Sequence, residues 1–202
     1  AALDQVLEVL RAEKELEQSH IILGFQGIPR LDDKYYAAVL LSTILGGGMS
    51  SRLFQEVREK RGLVYSIFSH HSAYQDDGQF VIYAGTGPGD IPKMIPVLCD
   101  EIKKIIGGVS DRELMRAKAQ MRAGLLMAQE SMMSRADHMA KTLIHFNKIL
   151  DLKDKLRRIE AVAVADIQAI AERIFGTPPT LAALGPLAAL EDFGTIKKRL
   201  AA

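Results

Sequence analysis

The spacing of hydrophobic and polar positions changes several times along the chain, and each change predicts a new element. Residues 20–25 form a short apolar run closed by glycine and proline, which is typical of a buried strand. Residues 34–45 are apolar nearly all round, so they predict a helix that is covered on most sides. A charged stretch at residues 52–60 predicts a second helix, which ends before Gly62.

A hairpin and a run of helices are predicted next. Residues 63–74 and 79–86 are rich in aromatic and β-branched side chains, and they flank the turn sequence Asp-Asp-Gly. Helical spacing then recurs, with Glu101 on a predicted solvent-facing side and Ser110 opening a capping box. The predicted helices and the strand that follows them cover residues 95–105, 110–128, 134–149, 164–174 and 180–184.

This order of elements predicts an α+β fold, in which a mainly antiparallel sheet is packed on one face by several helices. Residues 1–14 are helical in pattern and are interpreted as a linker helix or a boundary segment, and residues 15–202 as the domain itself. The helix at 34–45 and the hairpin carry more apolar side chains than one sheet face needs. We therefore expect a surface that binds a sister domain or subunit.

Composition narrows the classes of function. The chain has 202 residues, of which 48% are hydrophobic and 25% charged, an ordinary globular composition. Its 26 basic and 25 acidic side chains leave a net charge of +1, which gives no support to a nucleic-acid partner. No apolar run approaches the ~20 residues of a membrane span, so none is expected. The single cysteine, Cys99, has no partner in the sequence for an internal disulfide.

The histidines do not have the spacing of a catalytic zinc site. No HxxEH sequence occurs, and adjacent residues such as His70 and His71 point to opposite faces of a strand. His138 and His145 lie two helical turns apart without a suitably spaced carboxylate between them. We therefore expect no metal and no cofactor in this chain, which alone should cleave no peptide.

Two other features have a structural and a functional interpretation. The sequence GGGMSS at residues 46–51 could cradle a phosphate, but it lacks a lysine and a preceding strand, which favours a tight turn between helices. A phosphate-binding module remains an alternative. Residues 52–65 combine four cations with an aromatic residue, and on pattern alone they indicate a solvated face: Arg52, Arg58, Lys60, Arg61 and Tyr65.

A family resemblance changes the interpretation of these cations. Residues 45–88, LGGGMSSRLFQEVREKRGLVYSIFSHHSAYQDDGQFVIYAGTGP, resemble the C-terminal-domain signature of the pitrilysin/insulinase zinc metallopeptidases, particularly the processing-peptidase branch. The sequences LEQSH at 16–20 and AALGP at 182–186 agree with it. The resemblance implies a clamshell protease built from two halves of one fold. The other half would carry the HxxEH zinc site, and this half would close over the substrate.

The resemblance also implies roles for two residues. Arg58 and Tyr65, in the sequence REKRGLVY, correspond to the family's arginine and tyrosine that reach toward the substrate backbone near the zinc. They would position the peptide and stabilise the oxyanion. The implied partners are a zinc-bearing N-terminal half-domain or sister subunit and a peptide substrate, with a dimer in the complete enzyme. The implied compartment is the bacterial cytoplasm or a mitochondrial matrix.

The same family leaves one alternative of a different class. Some of its members have lost catalysis and serve as structural core subunits of a respiratory complex. The presence of both Arg58 and Tyr65 favours the peptidase interpretation.

Overall fold

The computed structural model describes residues 8–201, and the strands found in them form one five-stranded sheet. In chain order they are β1 (Val9–Glu13), β2 (Ser19–Gln26), β3 (Ser66–Ala73), β4 (Gly78–Thr86) and β5 (Thr180–Gly185). The spatial order is β1-β5-β2-β4-β3, with β1 parallel to β5 and every other pair antiparallel. The prediction of a mainly antiparallel sheet is therefore confirmed.

Helices form most of the rest of the described chain. They are α1 (Tyr35–Gly46), a π-helix (Phe54–Glu59), a 3₁₀ turn (Pro88–Asp90), α2 (Ile91–Ile106), α3 (Asp111–Ala128), α4 (Met132–Phe146), α5 (Leu152–Glu160), α6 (Val164–Phe175) and α7 (Phe193–Ala201). Helix α1 packs on β3 and α6 on β2, while α2 contacts both α6 and α7. No helix within residues 8–201 is long and apolar enough to cross a membrane.

One face of the sheet forms the core with these helices. Alternate side chains of the two central strands point toward the helices, because successive residues of a strand face opposite sides. All of them are at most 4% exposed: Ile21, Leu23, Phe25, Phe80, Ile82 and Ala84. The α+β fold with helices on one face is thus confirmed.

The opposite face of the sheet, called the open face below, keeps apolar side chains in contact with solvent. Ile22 is 37% exposed, Phe68 46% and Leu184 40%. Phe68 is registered with Tyr83 across β3 and β4, and their rings stack 4.9 Å apart. A shallow groove of about 490 Å³ runs along this face. Among the described residues, no helix lies over it.

The N-terminal prediction is wrong where the structure describes it. Residues 9–13, assigned from their pattern to a linker helix, form β1, which pairs with β5 from Val9↔Leu181 to Glu13↔Gly185. A strand partner so distant in sequence leaves no local signal, so the helical pattern alone was misleading. The first seven residues of the predicted linker lie outside the described part of the chain.

Two helices that were not predicted, and the burial of Glu101, are further differences from the prediction. Helices α5 and α7 were not predicted. Glu101, expected at the solvent-facing side of α2, is only 3% exposed. Its carboxylate accepts a hydrogen bond from Lys104 at 2.7 Å, so the neighbouring charge compensates its burial.

Candidate functional site

The segment that joins Arg58 to Tyr65 is a helix end followed by a sharp reversal of the chain. The Lys60 amide donates to the Gln55 carbonyl at 3.0 Å, the i to i−5 bond of a π-helix. The Gly62 amide then donates to the Arg58 carbonyl at 2.9 Å and the Leu63 amide to the Val57 carbonyl at 3.0 Å. The first of these is the bond of an αL cap, with Gly62 at C′ and Arg58 at C3, and the second closes the turn one residue further along, so the last carbonyls of the helix are satisfied.

Gly62 allows this reversal because its φ is +62°, a left-handed conformation that side chains with a Cβ rarely adopt. On its two sides, Val57 and Leu63 are both buried in the core, so the turn is fixed at both ends. Arg58 and Tyr65 are consequently held in relation to each other by a short, hydrogen-bonded stretch of backbone. Between their two side chains, the described structure contains no hydrogen bond.

Three of the four cations singled out from the sequence are paired with carboxylates. Arg52 binds Glu113 through Nε at 2.6 Å and Nη2 at 3.0 Å, and the guanidinium lowers the pKa of Glu113 to about 2. Lys60 and Arg61 both bind Glu56, whose pKa they lower, Lys60 having the larger effect. The pattern-based interpretation of a solvated face therefore fits Lys60 and Arg61, whereas the side chain of Arg52 is largely buried in its ion pair.

Arg58 is the exception in this cluster. Its side chain is exposed, and none of residues 8–201 provides it with a hydrogen-bond acceptor or a carboxylate partner. Its guanidinium carbon lies 4.7 Å from the centre of the Phe54 ring, a cation–π contact that orients the side chain but leaves its N–H groups free. Arg58 thus presents several unused donors to solvent.

Tyr65 immediately precedes the edge strand β3, at one end of the sheet. Its amide donates to the Gly85 carbonyl at 2.8 Å, which fixes the backbone, while its side chain is 63% exposed. Within the described chain, its hydroxyl has no hydrogen-bond partner.

The sequence analysis missed a polar pair on the adjacent strands β2 and β4, in which the Tyr83 hydroxyl lies 2.8 Å from Nδ1 of His20. Only the antiparallel pairing of β2 with β4 brings these two residues together.

The glycine run at residues 46–51 makes contacts within the fold. A Cβ on Gly46 would lie 2.3 Å from the Ser69 backbone nitrogen, so α1 approaches β3 too closely for a side chain there. The Gly47 carbonyl accepts from Gln120 at 2.8 Å, and the Ser51 hydroxyl donates to the Gly48 carbonyl at 2.6 Å. These contacts favour the helix-to-helix turn over the phosphate cradle.

The histidines are also separated in the fold. His71 is buried and its Nε2 accepts from the Ile28 amide at 3.2 Å, while the adjacent His70 is exposed on the open face. Burial lowers the pKa of His71 to about 4, so it is neutral at pH 7. In the part of the chain that the structure describes, no three His, Cys, Asp or Glu residues are grouped to hold a metal ion.

Comparison with known proteins connects this geometry to a family. The model of the peptidase M16 inactive domain matches residues 4–121. An uncharacterised zinc protease of Streptomyces coelicolor is 38% identical over 175 residues, which are 86% of this chain and 38% of the relative. An uncharacterised zinc protease of Rickettsia felis is 40% identical over 174 residues, 86% of this chain and 42% of the relative. The chain therefore spans about two fifths of the length of these relatives.

Solved structures agree with the sequence comparison. A peptidase M16 inactive domain from Pseudomonas fluorescens superposes with a TM-score of 0.77 at 26% identity and covers 91% of this chain and 45% of its own. A chain of complex III2 from Candida albicans, bound to Inz-5, reaches a TM-score of 0.86 at 18% identity, covering 96% of this chain and 49% of its own. At that identity the second likeness shows the fold alone.

These findings confirm the resemblance stated for residues 45–88, which lie inside the matched segment. The open sheet face, the exposed Arg58 and Tyr65 and the separated histidines thus belong to a known kind of domain. Because the family model covers more than half of the sequence, this chain belongs to the family of peptidase M16 inactive domains.

Proposed function

We propose that this chain is the substrate-binding half of a zinc metalloendopeptidase, with Arg58 and Tyr65 donating hydrogen bonds to the peptide. One observation carries the proposal. Of the cations in residues 52–61, Arg58 alone has no carboxylate partner among residues 8–201, and seven residues later Tyr65 is held exposed by a fixed backbone. Donors that the fold leaves unused are available to a substrate.

The chemistry of peptide hydrolysis suits these two groups. Zinc held by another half would polarise the scissile carbonyl and activate water. Negative charge develops on the carbonyl oxygen, and a phenol or guanidinium aimed at it stabilises the transition state more than the ground state. A guanidinium also remains charged at all physiological pH values and can bind peptide carbonyls with two N–H groups. Arg58 therefore positions the backbone, and Tyr65 donates to the developing charge.

The open face is proposed to contact the zinc-bearing half. Its groove is lined by apolar side chains from all five strands, among them Ile22, Phe68 and Tyr83. Exposed apolar surface of this kind is stabilised by a partner. Tyr65 lies just before β3, where its amide donates to the Gly85 carbonyl of β4. A partner that extends past this end of the sheet would meet Tyr65, and an extended peptide could lie there.

Helix α4 offers a second surface to the same partner. Of its 15 residues only Thr142 is buried, which is unusual for a helix of a domain with its own core. Large apolar side chains on it remain exposed: Met132, Met133, Met139, Leu143 and Ile144. A second domain of similar fold could cover the open face of the sheet and the exposed apolar side chains of α4 at the same time. The proposed dimer of the complete enzyme would use such contacts.

The alternative, a non-catalytic core subunit of the same fold, is less well supported. The relatives with 38% and 40% identity are named zinc proteases, whereas the likeness to the complex III2 chain rests on 18% identity. A scaffold would also gain nothing from keeping Arg58 free of a carboxylate. These relatives are bacterial, which supports a bacterial rather than a mitochondrial location.

Substitutions in the complete enzyme, with its zinc-bearing half, test this role. Tyr65→Phe removes one donor and Arg58→Ala removes a guanidinium, and each should lower kcat/KM by roughly tenfold or more, ~1.4 kcal/mol per decade. Tyr65→Phe should act mainly on kcat, because its bond forms with developing charge, while Arg58→Ala should raise KM as well. Zinc content and the unfolding midpoint should not change.

The chain offers matched controls for both substitutions. Tyr74→Phe removes a phenol that is 58% exposed at the other end of β3, and Arg61→Ala removes a cation three residues from Arg58. Both controls should keep kcat/KM within about twofold of the parent enzyme. Wild-type cleavage by the Arg58 and Tyr65 variants, with peptidase activity present, would refute the assigned roles.

A further inference from the structure

A cavity of about 360 Å³ lies away from Tyr65, between the start of α1 and the junction of α5 with α6. Arg30 lines the cavity, and its amide donates to the Tyr74 carbonyl at 2.7 Å, so the cavity lies near the end of β3 that Tyr74 follows. Tyr74 follows β3 and Tyr65 precedes it, and the eight residues of that strand span about 25 Å. The cavity is thus separate from the peptide site proposed above.

The cavity walls bring together positive charges. Arg158 of α5 is exposed, lines the cavity and has no carboxylate partner within residues 8–201. Arg30 lies over the Tyr35 ring at 4.2 Å and donates to its hydroxyl, a neutral group. One helical turn before Arg158, the Nζ of the buried Lys155 lies 2.7 Å from Nδ1 of His138, a side chain that carries no negative charge.

Of the cations that line the cavity, Arg30 and Arg158 have no carboxylate partner within residues 8–201. Lys155 does not line the cavity; burial, together with the charge of Arg30, lowers its pKa to about 8. Tyr36, at the same wall, is half-buried, and its hydroxyl has no partner in the described chain. Uncompensated guanidinium groups beside a free phenol are a recognition set for an anion.

Three carboxylates line the cavity, and none of them forms an ion pair with Arg30 or Arg158. Asp32 accepts from Arg173 at 2.8 Å and from the Lys34 amide at 2.8 Å. Asp166 accepts from Lys34 Nζ at 2.5 Å and from the Ala163 amide at 2.8 Å. The remaining carboxylate, Asp33, is exposed at the rim. None of the three therefore neutralises Arg30 or Arg158.

The rest of the lining is apolar, which narrows the class of ligand. Phe146, Val162 and the buried Ala37 line the cavity beside the tyrosine rings of Tyr35 and Tyr36. A bare inorganic anion would leave these side chains without contacts. A ligand with an apolar group next to its charge satisfies both halves of the lining, the usual arrangement of a small-molecule site.

We propose that this cavity binds a small organic carboxylate, whose charge contacts Arg30 and Arg158 and whose apolar group lies against Phe146 and Val162. The hydroxyl of Tyr36 donates a further hydrogen bond to the carboxylate. The proposal is independent of the peptidase role, since it uses none of the same residues and lies at the other end of β3.

An NMR titration of the 202-residue chain with N-acetylphenylalanine tests the site. Binding with a Kd of about 1 mM is expected for a ligand of this size. The amide signals of residues 30–37 and 158–166 should shift, whereas that of Tyr65 should not. The uncharged N-acetylphenylalanine amide should bind at least tenfold more weakly, because it cannot form charge-assisted hydrogen bonds.

A pair of neighbouring arginines provides the matched variants. Arg158→Gln should weaken binding of the carboxylate at least tenfold, while Arg157→Gln, which removes an exposed cation bound to Asp154, should change it less than twofold. Both positions are exposed, so unchanged thermal unfolding is expected of both variants. Equal binding of the amide, parental binding by Arg158→Gln, or no saturable shift up to 20 mM ligand (about 20 times the expected Kd) would each overturn the proposal.

Discussion

Both faces of the sheet carry large apolar side chains, but the two faces differ in what covers them. On the helix-covered face, Phe80 is fully buried and packs edge-to-face with Phe175 at 5.3 Å. On the open face, Phe68 is 46% exposed and stacks only on Tyr83, its neighbour in the sheet. Both phenylalanines belong to the β3–β4 hairpin, Phe68 on the edge strand and Phe80 on the inner one. The helices cover the face that carries Phe80 and leave the face that carries Phe68 open.

The difference separates residues that stabilise this chain from residues that it offers to a partner. Burial against its own helices stabilises the fold whether or not a partner is present. An exposed aromatic residue contributes a similar free energy of burial only when a partner covers it. Aromatic residues at the centre of an interface often contribute most to binding. The two faces should therefore respond oppositely to substitution in stability and in binding assays.

Phe80→Ala should have the largest effect on stability. Truncating a fully buried phenylalanine leaves a cavity and costs about 3–5 kcal/mol, whereas Phe68→Ala should cost about 1 kcal/mol or less, chiefly the lost stacking on Tyr83. Urea unfolding of the isolated chain measures both. In binding to the zinc-bearing half the order should invert, with Phe68→Ala weakening association by roughly tenfold or more.

An unfolded Phe80→Ala chain would still agree with this expectation, so Phe68→Ala carries the critical measurement. If Phe68→Ala lowers stability as much as Phe80→Ala and leaves association unchanged, the open face is part of the chain's own core. The proposed partner surface would then be wrong.

The adjacent His71 and His70 repeat the comparison with a titratable group. His71, on the covered face, has a pKa lowered to about 4 by burial, and its Nδ1 has no hydrogen-bond partner in the described structure. The unfolded chain, with a pKa near 6.5, therefore binds the proton more readily. Stability that is complete above pH 6.5 should be lost as the pH falls toward 4, by up to about 3 kcal/mol.

Substitution by glutamine distinguishes the two histidines. His71→Gln keeps an acceptor for the Ile28 amide but cannot titrate, so the loss of stability between pH 6.5 and 4 should become much smaller. His70→Gln, on the open face, should leave the pH profile unchanged. Equal profiles for the parent and both variants, measured by urea unfolding at several pH values, would contradict the buried, neutral state of His71.

The sequence predicted most elements because their signals are local. The apolar run of β2, the turn at Asp-Asp-Gly and the capping box of Ser110 with Glu113 depend on neighbouring residues, and all three are present. Strand alternation is also a local signal, and it predicted that His70 and His71 point to opposite faces of the sheet. The family signature added Arg58 and Tyr65, whose position the structure gives but whose chemical role stays a prediction.

Features that depend on distant residues could not be predicted. Strand β1 exists because β5 lies beside it, and Glu101 is buried because α2 packs against other helices. Nor does the sequence distinguish Arg58 from Arg52, because the partner of Arg52, Glu113, lies 61 residues away. The cavity between Arg30 and Arg158 is likewise formed by segments that meet only in the folded chain.

The smallest effect is expected at Gly62, which connects the covered core to the exposed pair. Gly62→Ala meets no neighbouring atom within 4 Å, so its cost comes only from the left-handed φ of +62°, about 1 kcal/mol. Gly124→Ala in α3 also meets nothing within 4 Å and has ordinary helical backbone, so it should stabilise the chain by about 0.5–1 kcal/mol. Opposite shifts of the urea midpoint therefore measure backbone conformation alone. A neutral or stabilising Gly62→Ala would show that this turn does not hold Arg58 and Tyr65 in a fixed relation.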